Sequence, residues 1–154
     1  MKVKKYTPLY VLKKISENIW IADGEEVAMD FKLFKIPFST RMTIIRLKNG
    51  EIWVHSPIKP NTDLLSQITQ LGEVAHIIAP NILHYSYVDE WHWLFPNAQV
   101  WLARGVQNRA KKSGLCLEYG RMLDQADWNE EIFSTTFEGS FYVKEVVFFH
   151  NQSS

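Results

Sequence analysis

Between residues 74 and 91 the chain reads VAHIIAPNILHYSYVDEW. An apolar run closes on Pro80-Asn81, His84 follows, and the acidic pair Asp89-Glu90 leads into Trp91. Imidazole and carboxylate groups at the exit of an apolar strand are the material of a divalent-metal site. Two more histidines close apolar runs: His55 ends EIWVH ahead of Ser56-Pro57, and His150 ends EVVFFH. Asn81 is a weak ligand but a good turn-former and helix cap. Arg41, in Ser39-Thr40-Arg41, could hold an anion, although a hydrogen-bonded loop cluster is the plainer reading of those three residues. His76 lies inside an apolar run and His92 between two tryptophans, where packing or surface roles fit. Cys116 is the single cysteine. It excludes an intramolecular disulfide framework and a cysteine-rich zinc cage, and it lacks the local signature of a nucleophile.

The elements that would position these groups can be read from periodicity. ENIWIADG reads as a short strand turned by Asp23-Gly24, and EEVAMDFKLFKIPFSTR as a loop with extended pieces. Met42–Leu47 and Glu51–His55 are β-branched runs flanking Asn49-Gly50, which predicts an antiparallel hairpin with a type I′ turn. NTDLLSQITQLG predicts a helix: Asn61 or Thr62 caps it, Leu64, Leu65, Ile68 and Leu71 form its apolar face, and Gly72 stops it. VAHIIAP follows as a buried strand, SYVDEWHWLF as a second helix with Trp91, Trp93 and Phe95 in the core, and AQVWLA as a third strand. VQNRAKKSG reads as a basic helix or turn. Strand, helix, strand, helix, strand over residues 51–103 argues for parallel strands joined by right-handed crossovers. EIFSTTFEGSFYVKEVVFFH reads as two final strands joined around Glu138-Gly139.

Composition narrows the function classes. The chain has 154 residues, 46% apolar and 22% charged, which fits one globular domain over residues 1–154. Lys plus Arg equals Asp plus Glu, and KVKK at the start is too short a basic run to argue for nucleic acid. No apolar stretch predicts a membrane span and no apolar leader is visible, so a cytoplasmic setting is expected.

The patterns NIW..DG, PFSTRMTIIRL.NGEIWVHSPI, APN..H....EW and VVFFH.QSS together resemble an uncharacterised branch of the metallo-β-lactamase-like superfamily, over roughly residues 10–154. The resemblance implies an α/β fold, the αββα sandwich with a mixed sheet, here with its second half incomplete or missing. It also implies a metal centre held chiefly by a His-x-His-x-Asp-His run, where the ion would lower the pKa of bound water. Neither register rebuilds that run. Starting after Pro80, its ligand positions fall on Asn81, Leu83, Tyr85 and Ser86; starting at His84, they fall on His84, Ser86, Val88 and Asp89. A later family histidine, in a Gly-His-Thr-like turn, corresponds to His150 in FFHNQSS.

The expectation is therefore a relative of the hydrolases with a degenerate metal site, non-catalytic or ligand-binding, its small-molecule ligand unidentified and no zinc, iron or manganese bound. His55, Asn81, His84, His150 and Arg41 are the candidate ligand-binding residues, and His55, Asn81, His84 and His150 are expected to gather at one end of the sheet. No catalytic residue is assigned. One alternative is a zinc-, iron- or manganese-dependent hydrolase built on His55, His84, Asp89 and His150. Another is a half-domain completed by self-association, a homodimer formed through the apolar strand at residues 141–149.

Overall fold

The computed structural model describes residues 6–31, 34–128, 131–137 and 144–151. β1 (Lys13–Ser16), β2 (Ile19–Phe31), β3 (Phe34–Arg46) and β4 (Ile52–His55) form an antiparallel meander. α1 (Thr62–Leu71), β5 (Val74–Ala79), α2 (Val88–Leu94), β6 (Gln99–Leu102), α3 (Val106–Lys112) and β7 (Arg121–Met122) follow, and β4 to β7 pair in parallel. The seven strands make one mixed sheet in sequential order. β8 (Ile132–Phe137) and β9 (Glu145–His150) form a separate antiparallel ribbon. Among the described residues no helix is long and apolar enough to cross a membrane.

The parallel unit forms where the pattern predicts it. Asn61 caps α1, its Oδ1 accepting from the amides of Asp63 (3.0 Å) and Leu64 (3.3 Å). Gly72 ends α1 for a different reason from the expected one. Its φ of 162° is extended backbone, and a Cβ there would run into the carbonyl oxygen of Gly50; the glycine allows close approach, not a left-handed cap. The hairpin at Asn49-Gly50 is present, but only Gly50 of the pair takes a positive φ (87°). Gly50 N donates to Leu47 O at 2.9 Å and Leu47 N to Glu51 O at 2.8 Å, a three-residue loop ending in a left-handed glycine instead of the two-residue type I′ turn.

The region expected to be a loop is the largest correction. Residues 19–46 are two long strands, paired from Ile19↔Ile45 to Phe31↔Phe34. The register shifts between Asp23 and Glu26, and such a bulge breaks the period-2 alternation by which a strand is recognised. Gly24 belongs to this bulge, not to a turn. A Cβ on it would stand 2.5 Å from Thr40 Oγ1 and 3.1 Å from Ile58 Cβ.

The core lies on both faces of the central strands. Trp53 and His55 alternate onto one face of β4 and meet Phe148 of β9, with ring centroids 5.1 and 5.2 Å away. Trp128 fills the space beside them, 5.6 Å from Trp53 and 6.0 Å from Trp101. This aromatic layer fixes the ribbon to the sheet. Ile52, Val54 and Ile77 share the core with Leu64 and Ile68 of α1 and Trp91 of α2. Trp93 departs from the expected core: it is 81% exposed. Two positions along an α-helix are about 200° apart, so burying Trp91 turns Trp93 outward.

The two final strands appear as expected. Their connection around Glu138-Gly139 and residues 141–143 of the expected dimer strand lie outside the described residues. Val146, Phe148 and His150 are half-buried, whereas Phe133, Phe137, Val147 and Phe149 are exposed. The outer face of the ribbon is therefore apolar and uncovered among the described residues.

Candidate functional site

Three segments meet where β4 and β5 end. From β4 come His55, then Ser56, which takes a positive φ of 54° and whose amide donates to Ile78 O at 3.0 Å, then Pro57. After β5 the chain turns at Pro80-Asn81. Asn81 is buried, and its Oδ1 accepts from the amides of Leu83 (2.9 Å) and His84 (3.0 Å). Asn81 thus shapes the turn that carries His84 to the surface, and its carbonyl oxygen is engaged there. β3 supplies the third wall through Ser39, Thr40 and Arg41. Between these segments lies a cavity of about 80 Å³, whose polar lining includes Arg41, His84 and the hydroxyls of Ser39, Ser56 and Ser86.

The electrostatics are set by a carboxylate that the sequence reading assigned to a turn. Asp23 is 3% exposed. It accepts from Lys13 Nζ and from Arg41 Nε, each at 2.7 Å. Burial pushes its carboxyl upward, but the hydrogen bonds and charges of Arg41 and Lys13 outweigh that and hold it below the ordinary carboxylate range. Lys13 and Arg41 thus share one carboxylate, and Glu25 and Glu90 add negative charge near Tyr87 of the same cavity. Arg41 also lies over the ring of Tyr6, 4.9 Å from its centroid.

His55 sits behind the cavity, stacked on Trp53 at 5.6 Å and covered by Phe148. Loss of water there, with the nearby His84 adding repulsion, lowers its pKa to about 4, so it is neutral at pH 7. His84 is exposed on one side. Desolvation by the protein atoms on its other side still lowers its pKa, opposed by the negative charge of Glu145 at the start of β9.

The remaining candidates lie elsewhere. His150 is half-buried at the opposite end of the sheet, lining a cleft with Arg46, Lys48 and Glu131 near the Asn49-Gly50 loop. The expected gathering therefore holds for His55, Asn81 and His84 and fails for His150. The physical reason is strand direction: β9 begins beside Pro80, where Val146 N donates to Pro80 O at 3.4 Å, and runs away from that edge, so its last residue pairs with Ile132 at the far end. Glu145 at its beginning, not His150 at its end, stands near His84. Asp89 points out of the site and accepts from Tyr119 Oη at 2.8 Å. His76 is tied between Trp101 Nε1 (3.1 Å) and Glu51 (3.3 Å), and His92 stacks on Tyr119 at 4.1 Å.

These positions test the metal centre that the resemblance implies. Among the described residues no three His, Cys, Asp or Glu side chains come together. Asn81 and Asp89 are engaged with other partners and His150 is at the wrong end, which leaves His55 and His84. Two imidazoles, one of them packed under Phe148, do not make the three- or four-ligand set of a catalytic ion, and no reaction step through a metal follows from them. Sequence reasoning missed Asp23, Glu131 and Glu145. Glu131 is 6% exposed and receives the amide of Lys48 on both carboxylate oxygens (3.1 and 3.0 Å). No motif marks such residues; their roles arise from register.

The mixed sheet, its parallel crossovers and the ribbon packed on one face define a metallo-β-lactamase-like fold. The mono-zinc metallo-β-lactamase FIM-1 from Pseudomonas aeruginosa superposes with a TM-score of 0.51 at 11% identity, over 81% of this chain and 53% of that one. TMB-1 (TM-score 0.49, 9% identity, 81% of this chain and 54% of that chain) and the metallo-β-lactamase DIM-1 exposed to ceftazidime (0.49, 12%, 70% and 49%) align more loosely. The chain spans about half the length of these proteins. Residues 17–154 match the family described as Domain of unknown function (DUF4336), and the chain belongs to that family. No curated protein matches the sequence.

Proposed function

We propose that this chain is a non-catalytic, ligand-binding relative of the metallo-β-lactamase-like hydrolases, with a degenerate metal site and a cavity that takes a small carboxylate-bearing molecule. The observation that carries the reading is the cavity wall. Among the described residues Asp23 engages Arg41 through Nε alone, so the terminal amino groups of the guanidinium stay available to a ligand. The hydroxyls of Ser39, Ser56 and Ser86 make no hydrogen bond among the described residues. A guanidinium and hydroxyl donors around a small concavity suit a carboxylate. Val27, Phe38 and Leu83 supply the apolar part of the lining.

The test is an amide-resolved NMR titration with succinate. Saturable shifts are expected at Arg41, His84 and Ser86, and Arg41→Gln is expected to weaken binding about tenfold or more, as loss of a charge-assisted hydrogen bond does. Absence of saturation, or an Arg41→Gln variant that binds as the parent does, would contradict the reading.

The outer face of the ribbon supports a second property, self-association. Phe133 (49% exposed), Phe137 (67%), Val147 (40%) and Phe149 (60%) share that face. No third strand joins the ribbon among the described residues, although Val146 N of β9 donates to Pro80 O at 3.4 Å. The chain's zero formal charge sets up no long-range repulsion between copies. A second copy of the same face would cover this patch and match its largely apolar character. Sedimentation equilibrium is expected to show a dimer that Val147→Lys dissociates. A parent chain that stays monomeric at high concentration would refute it.

A further inference from the structure

We propose that a second cleft, sharing no lining residue with the Arg41 cavity, binds a phosphate monoester. It has a volume of about 320 Å³ and lies where β6 and β7 end against the ribbon. That is near the lower end of the range of small-molecule sites, about 300–1,000 Å³.

Its donors come from two directions. Arg104 stands just beyond β6, ahead of Gly105, whose φ of 90° swings the chain into α3. Ser134 and Thr136 are two residues apart on β8 and so share a face, the one opposite Phe133 and Phe137. All three line the cleft. Arg104 makes no ion pair, and neither hydroxyl makes a hydrogen bond, among the described residues. Lys144 adds a second positive charge, although it has an interaction of its own. Asp124 is the one carboxylate among the described lining residues. The apolar wall comes from Met122, Leu123 and Val146.

This set discriminates among anions. A guanidinium fork recognises two oxygens of a phosphate or carboxylate equally well. Hydroxyls that approach from the opposing sheet need a further oxygen, which a tetrahedral phosphate carries and a planar carboxylate lacks. The apolar wall then meets the organic group of an ester. The inference concerns binding alone and does not depend on the ligand proposed for the Arg41 cavity.

Phenyl phosphate, benzoate and inorganic phosphate, titrated into the full chain under amide-resolved NMR, test it. Phenyl phosphate is expected to saturate with shifts at Arg104, Ser134 and Thr136. Arg104→Gln is expected to weaken it about tenfold or more, and Thr136→Val by a smaller factor. Arg41→Gln is expected to leave it unchanged, which separates this cleft from the first. Both cleft substitutions are at exposed positions, and an unchanged amide spectrum outside the cleft would verify their fold. No saturation, shifts confined to residues 39–41, or an Arg104→Gln variant that binds normally would overturn the site. Equal binding of benzoate or of inorganic phosphate would overturn the monoester assignment.

Discussion

Acidification from pH 7 to pH 4 is expected to destabilise the protein by about 3 kcal/mol through His55 alone, at 1.36 kcal/mol per unit of pKa difference. His55 has a folded pKa of about 4 because the stacked Trp53 and the covering Phe148 strip it of water, with repulsion from His84 adding to the effect. In the unfolded chain it returns to the ordinary value of 6.5. Between these values the unfolded state binds the proton and the folded state does not. Stability is therefore fully present above pH 6.5 and falls as the pH drops toward 4. His76 and His84 are shifted in the same direction and steepen the slope. Asp23, held low by its two cations, adds its own loss only as the pH falls further, through its folded pKa. Urea midpoints of the parent and His55→Gln at pH 7, 5 and 4 would separate the contributions. The variant is expected to be less sensitive to acid than the parent, and parallel curves would show that His55 is not desolvated.

Trp53→Ala is expected to be the most damaging single substitution, costing about 3–5 kcal/mol, the usual range for truncating a buried Trp. The side chain is 1% exposed and touches His55, Trp128 and Phe148 at once. Domains of this size are stable by about 5–15 kcal/mol, so the loss is a large share of the whole. It should also loosen the ribbon, because Phe148 would then face a cavity. Hydrogen exchange is expected to accelerate first in β8 and β9. Trp53→Phe provides the contrast. The indole Nε1 of Trp53 is buried without a hydrogen-bond partner among the described residues, so phenylalanine gives up ring volume but no hydrogen bond and removes an unsatisfied donor, which costs about 1–3 kcal/mol where it stands. It should be far milder than alanine. Equal losses for the two variants would mean that the indole is not packed as described.

The parallel half of the sheet was legible because its signals are local. Asn61 before an amphipathic run, apolar strands closed by Pro57 and Pro80, and Asn49-Gly50 between β-branched runs each specify an element within a few residues. β2 and β3 were not legible because their pairing is decided at long range. The bulge after Asp23 breaks their alternation, and burial of Asp23 depends on Lys13 and Arg41, residues that approach it only once the strands have paired. The same distinction runs through the site. His55, Asn81 and His84 could be placed at one edge because each ends or follows a parallel strand. His150 was misplaced because the direction in which β9 crosses the sheet is a property of the ribbon, not of FFHNQSS. Trp93 was misassigned because a helix of seven residues buries one face only.

We propose that the metal site of the fold is degenerate in this chain. Metal analysis of the protein purified without chelator tests it most directly, with His84→Ala measured alongside. Less than about half an equivalent of zinc, iron and manganese combined is expected, unchanged by the substitution, because two imidazoles without a third ligand do not retain an ion through purification. About one tightly bound equivalent in the parent, lost in His84→Ala, would show a working metal centre and restore the metal-dependent hydrolase.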